Sequence, residues 1–263
     1  MNLSLDNKRV LVLAASKGLG RAIATAFAHE GSHVVITSRD ESALEETANT
    51  IKQETGNENV HFFSSDITKE KDLQALVNET VETLGGVDIL INNSGGPRAG
   101  LFEDMTGEDW QQAYELNLLS YVRTTQAVLP YMKKQQFGRI VNITSSSIKQ
   151  ALDGMVLSNT FRAGVLGLTK SLATELAGED ILVNTVGPGR IATDRVAELD
   201  AIAANKQDKE PEDIKKESEK KIPAGRYGEP EEFAKTVVFL ASGANTYVTG
   251  QSLLVDGGLV RSL

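Results

Sequence analysis

The run Val10-Leu-Val-Leu-Ala14 constrains this chain more than any other stretch. It is continuously apolar, it closes on Gly18-Leu-Gly20, and it leads into an alanine-rich segment of helical spacing over 21–30. Such a run is the mark of a strand buried on both faces of a parallel sheet. Gly31 then supplies a helix stop, and the β-branched segment 33–38 reads as a second strand. Parallel neighbours need crossover connections, so this opening commits the chain to an α/β sheet. The alternation continues with helices expected over 42–54, 72–84, 108–134, 158–176 and 231–240. Strands are expected over 60–65, 87–92, 139–144, 181–186 and 252–255. The expectation is a doubly wound, Rossmann-like parallel sheet of about seven strands with helices on both faces, in one domain spanning 1–263. Only 193–226, dense in Lys, Glu and Asp, breaks the rhythm. It reads as a solvated helix pair or as a helical lid inserted beside a strand end.

Composition removes several classes of function. With 40% hydrophobic and 24% charged residues over 263, the chain is globular, and neither disorder nor a fibrous repeat fits. Lys and Arg number 27 against 36 Asp and Glu, a net charge of −9 with no dense basic tract, which argues against a nucleic-acid partner. The absence of cysteine removes disulfides, thiolate metal sites and cysteine nucleophiles, and no metal is expected. The opening MNLSLDNKR has no apolar core of signal-peptide length and no later run spans a bilayer, so a soluble cytoplasmic protein without a membrane partner is expected.

Ligands of open α/β sheets bind beyond the carboxyl ends of the strands. In this chain those ends carry Ser16-Lys17-Gly18-Leu19-Gly20, Arg39, Asp66, Asn93-Ser94-Gly95-Gly96, Ser145-Ser146-Ser147 and Gly187-Pro188-Gly189-Arg190. Glycines there let backbone approach a ligand, and the helix opening near Gly20 offers its positive end to a phosphate. The ligand these features anticipate is a dinucleotide.

The segments LAASKGLGRAIA, SDIT, INNSGG, ELNLLS, IVNITSSS, RAGVLGLTKSLATELA, VNTVGPGRIATD and YVTGQSLLVDGG, in this order, resemble the short-chain dehydrogenase/reductase superfamily. The resemblance is strongest to its β-ketoacyl-acyl carrier protein reductase branch and covers essentially the whole chain. It implies a cofactor site in which Ser16, Lys17, Gly18, Leu19 and Gly20 lie along the pyrophosphate. Asp66 with Ile67 would meet the adenine, and Asn93 with Gly95 the adenosine side. Pro188, Gly189, Ile191 and Thr193 would face the nicotinamide. Lys17 and Arg39 match basic positions that resemble the NADP-preferring pattern, so NADP is expected over NAD, although Asp40 stands close by. The resemblance also implies a homotetramer or homodimer, packed through the helix bearing Phe161, Val165, Leu168 and Leu172 beside the small Ala163, Gly164 and Gly167.

The pattern breaks twice. Ala14 stands where the family turn usually has glycine; an alanine enters a left-handed turn only at a cost, so a local change in the loop is expected. More consequentially, active relatives carry a tyrosine thirteen residues past the catalytic serine and a lysine four further on. Counted from Ser145, those positions hold Ser158 and Arg162. A phenol, with a pKa of about 10, can be tuned toward neutrality, whereas an aliphatic alcohol is a far weaker acid and arginine stays charged. The retained candidates are Ser145 and Asn117, joined by Ser158 and Arg162 themselves, with Lys149 and Arg98 as substitute cations beside the substrate. Three readings compete. One is an NADP(H)-dependent reductase of small or acyl carbonyls, such as a 3-oxoacyl thioester, with an atypical proton donor. The second is a dinucleotide-binding pseudoenzyme acting as sensor or partner subunit, and the third a non-redox lyase or isomerase use of the same pocket.

Overall fold

A computed structural model describes residues 2–262. The parallel, doubly wound sheet expected from the alternation is what forms. It holds seven strands in the order β3-β2-β1-β4-β5-β6-β7, every neighbouring pair parallel. The strands are β1 (Arg9–Val12), β2 (His33–Ser38), β3 (Val60–Ser64), β4 (Ile89–Asn92), β5 (Gly138–Ile143), β6 (Ile181–Pro188) and β7 (Ser252–Val255). Helices α1 (Gly18–His29), α2 (Glu41–Thr55), α3 (Glu70–Leu84), α4 (Gly107–Tyr114), α5 (Ser120–Gln135) and α6 (Val156–Leu176) form crossovers. They are followed by α7 (Asp194–Gln207), α8 (Pro211–Lys221) and α9 (Pro230–Ala241). In β1 the side chains alternate between two cores. Val10 and Val12 join Ile23 and Phe27 of α1 and Phe233 and Val237 of α9, while Leu11 joins Leu73 of α3 and Val128 of α5. The winding reverses between β1 and β4, which pair through Val10 and Ile89, and this switch point sets the site at their carboxyl ends.

Three local departures from the sequence expectation matter for the site. Strand β1 ends at Val12 because Ala14 turns into the left-handed region at φ +48°. Helix α1 opens three residues earlier than expected, at Gly18, itself at φ +56°. The single long helix expected over 108–134 is instead α4 and α5 joined by a π-helical turn, Glu115–Leu119, whose wider backbone re-aims Asn117. The stretch 193–226 holds α7 and α8, tied down by three contacts. Arg190 Nη1 meets Asp200 Oδ1 at 2.7 Å, Tyr227 Oη donates to Asp200 Oδ2 at 2.8 Å, and Arg195 Nη2 donates to the Pro97 carbonyl at 2.9 Å. Among the described residues no helix is long and apolar enough to cross a membrane.

Helix α1 comes against the end of β1 because residue 20 is glycine. A Cβ there would collide with the Ala14 carbonyl oxygen and lie 2.7 Å from Ala15 Cα and 2.9 Å from Asn93 Nδ2. Backbone cannot yield as a side chain does. Gly20→Ala is therefore expected to lower stability by about 1–3 kcal/mol, measured by urea unfolding.

Candidate active site

A cavity of about 1640 Å³ opens along the carboxyl edge of the sheet, from Arg39 beyond β2 to α7 and α8. Its first wall is the turn between β1 and α1. Ser16, Lys17, Gly18 and Leu19 line it; Gly20 does not. Gly20 acts instead by close packing, which corrects its expected place beneath a ligand. Ala14 adopts the left-handed conformation itself, at φ +48°. Its carbonyl oxygen accepts from Asn93 Nδ2 at 3.1 Å, and the next amide, Ala15 N, donates to Thr37 O at 2.9 Å. No side chain caps α1, and the amides of Gly18 and Leu19 find no acceptor among the described residues, leaving backbone donors at a helix start on the cavity wall.

Beyond β2, Arg39 lines the cavity and forms no ion pair among the described residues. The neighbouring Asp40 turns away and caps α2, accepting from Ala43 N at 3.1 Å. Lys17 is largely exposed and meets Asp194 at 3.4 Å, across the mouth between the first turn and α7. Asp66 and Ile67 line the wall beyond β3. Burial pushes the Asp66 carboxyl up, but hydrogen bonds from Thr68 N and Oγ1 outweigh it and, with Lys69 and Arg39 near, hold it below the usual carboxylate range. Asn93, Ser94 and Gly95 form the wall beyond β4, with Asn93 Nδ2 also bonded to the Leu13 carbonyl at 3.2 Å. Beyond β6 the cavity meets Pro188, Gly189, Ile191 and Thr193. At Gly189 a Cβ would lie 2.6 Å from Asp256 Cα, so only glycine lets this loop pass β7.

The chemistry-bearing wall lies between β5 and α6. Ser145 Oγ accepts from Ser147 N at 3.1 Å, leaving its own hydrogen for another partner. Ser158 and Arg162, one helical turn apart on α6, both line the cavity though only 3% and 4% exposed. Arg162 Nη1 donates to Tyr121 Oη at 2.9 Å and to the Ile143 carbonyl at 2.8 Å, and Nη2 reaches Ser94 Oγ at 3.4 Å. Tyr121, fully buried, donates to the same Ile143 carbonyl at 2.8 Å. Sequence reasoning missed this tyrosine; its one signal is a place four residues past Asn117 inside the helical segment.

Three expected site residues fall elsewhere. Asn117 stands behind the cavity rather than on it, donating from Nδ2 to Ser94 Oγ at 3.0 Å and to the Gly95 carbonyl at 2.8 Å; it positions that wall. Lys149 is exposed just past the Ser146–Ile148 turn and lies outside the cavity, because that turn carries the chain outward. Arg98 is likewise outside, paired with Asp109 at 2.7 Å. Among the described residues no group of three or more His, Asp or Glu gathers as for a metal.

Comparison with known proteins matches the geometry. A family model described as enoyl-(acyl carrier protein) reductase matches residues 13–260. The 3-oxoacyl-[acyl-carrier-protein] reductase FabG of Aquifex aeolicus is 38% identical over 259 residues, covering 98% of this chain and all of the relative. The uncharacterized oxidoreductase YvrD of Bacillus subtilis is 34% identical over 267 residues, covering both chains completely. Among solved structures, L-sorbose reductase from Gluconobacter frateurii, complexed with NADPH and L-sorbose, superposes with a TM-score of 0.94 at 30% identity over the whole of both chains. A variant actinorhodin polyketide ketoreductase with NADPH gives 0.92 at 34% identity, covering 97% of this chain and 98% of that one. With a matched family model spanning nearly its full length and relatives aligned end to end, the chain belongs to the short-chain dehydrogenase/reductase superfamily.

Proposed function

We propose that this protein is an NADP(H)-dependent reductase of carbonyl compounds. The observation that carries the reading is the division of labour beyond β2: Arg39 faces the cavity without a carboxylate partner among the described residues, while Asp40 is engaged as the α2 cap. A 2′-phosphate needs a free cation there, and an NAD ribose needs a free carboxylate. The uncapped amides of Gly18 and Leu19 suit a pyrophosphate, and Asp66 suits an adenine amino group. The NADPH complexes of the sorbose reductase and the polyketide ketoreductase support the same cofactor.

When bound, NADPH supplies the hydride to the carbonyl carbon. The Ser145 hydroxyl donates a hydrogen bond to the carbonyl oxygen, where negative charge gathers. Ser158 is too weak an acid to stand in for a phenol, so the proton completing the alcohol comes from water in the cavity. Loss of a general acid slows turnover by about 10²–10⁴ without abolishing it. The 3-oxoacyl thioester named for the Aquifex relative belongs in the substrate panel beside simple ketones.

One observation favours a second reading, a dinucleotide-binding partner or sensor without turnover. Arg162 is tied to Tyr121 and Ile143 and cannot relay a proton. Assembly is read as a two-fold-symmetric homodimer or homotetramer, in keeping with the exposed small residues Ala163, Gly164 and Gly167 on α6 and the 95% exposed Tyr247 before β7.

Arg39→Ala is expected to weaken NADPH binding by about 10–100-fold while leaving NADH unchanged, measured by fluorescence titration; tighter NADH than NADPH binding in the parent would refute the assignment. In NADPH oxidation assays with ketones and 3-oxoacyl thioesters, Ser145→Ala should lower wild-type turnover about tenfold or more. The Ser158→Tyr, Arg162→Lys double variant should raise it by about 10²–10⁴. Cofactor binding with no wild-type turnover, and activity appearing only in the double variant, would establish the silent binder. Light scattering should report a dimer or tetramer, and a stable monomer would overturn the assembly.

A further inference from the structure

Arg162 is a buried cation without a counter-ion. Its three acceptors, Tyr121 Oη, the Ile143 carbonyl and Ser94 Oγ, are all neutral, and among the described residues no carboxylate lies within 4.0 Å. Of the other cations lining the cavity, Arg190, Arg195 and Lys17 are paired, with Asp200, Glu198 and Asp194, while Arg39, Lys206 and Lys221, which form no ion pair among the described residues, are exposed to solvent. So is Arg139, deeply buried elsewhere, with Asp180 at 3.3 Å. A guanidinium does not lose its charge, and burying it beside neutral groups alone is costly.

The spare donors lie on one edge. Nη1 is engaged by Tyr121 and Ile143, whereas Nε has no acceptor among the described residues and Nη2 has only the 3.4 Å contact with Ser94 Oγ, which leaves donor capacity on the Nε and Nη2 atoms. These two form the side of the guanidinium fork that grips a carboxylate through two parallel hydrogen bonds. The Tyr121 ring, 5.9 Å from Cζ, and the three neutral acceptors fix the fork in place before any ligand arrives. Ser145 and Ser158 line the same wall.

We infer that Arg162 is a substrate-anion site, and that this protein acts on an oxo acid whose free carboxylate pairs with Arg162 while its carbonyl oxygen meets Ser145. The inference rests on the reductase reading only in calling the ligand a substrate. It sets the substrate apart from a thioester, which has no charge at that position.

Acetoacetate and its methyl ester differ in little but charge, and their binding to the full-length protein is measured by calorimetry with and without NADP⁺, where no hydride is available to transfer. The wild type should bind acetoacetate at least tenfold more tightly than the ester. Arg162→Gln should erase that preference, and Arg162→Lys, keeping the charge without the fork, should retain part of it. Thermal unfolding of both variants confirms that they are folded, and the comparison of the two ligands on the wild type needs no variant. Equal affinity for acid and ester, or a preference that survives in folded Arg162→Gln, overturns the anion site. A preference for the acid in a protein that turns over no carbonyl upholds the anion site and removes the reductase reading alone.

Discussion

The hydrogen bonds from Asn93 Nδ2 to the carbonyls of Leu13 and Ala14 are the tie on which the rest of the site depends. They join the ends of β1 and β4 where the sheet changes winding direction, the one place where two crossovers part and leave room for a ligand. Gly20 packs α1 onto the same carbonyl, so strand end, helix start and Asn93 meet within one contact. Anything that loosens this junction moves the uncapped amides of α1 relative to Ser94 and Gly95, and through them the wall that Asn117 supports.

The second constraint is electrostatic. Where the resemblance expects an ammonium beside a phenol, the chain buries a guanidinium among neutral oxygens. The three acceptors orient the charge but do not cancel it, and orientation without cancellation is what a binding site for an anion requires. The same exchange removes the tuned acid. On the proposed reading, the missing acid and the uncancelled guanidinium are two faces of one change on α6.

Much of this was legible in the sequence because burial on both faces of a parallel strand leaves an unmistakable apolar run. The strands β2 and β7 fall where their residues place them, and the glycine and small polar residues at strand ends do gather along one cavity. What escaped depends on backbone geometry that residue type does not encode. The π-helical turn at Glu115–Leu119 keeps helical composition, so nothing in the sequence announces that Asn117 turns behind Ser94. Gly20 reads as a ligand glycine and serves as a packing glycine, a distinction set by where the Ala14 carbonyl points. Tyr121 reads as an ordinary core aromatic, because its partner Arg162 comes from a helix forty-one residues away. Lys149 looked reachable by count, but the short turn after Ser145 carries it outward.

Ala14 has a consequence of its own. At φ +48° it holds a conformation that costs an alanine about 1 kcal/mol and a glycine almost nothing. A glycine there would leave the first turn free to sample many shapes before a ligand arrived, and binding would have to freeze them. The alanine, pinned by Asn93 and by the Ala15 amide on Thr37, meets that ordering cost when the chain folds. The loop thus gives up a little stability and in exchange stands preorganised, so that less conformational entropy is lost each time a dinucleotide binds.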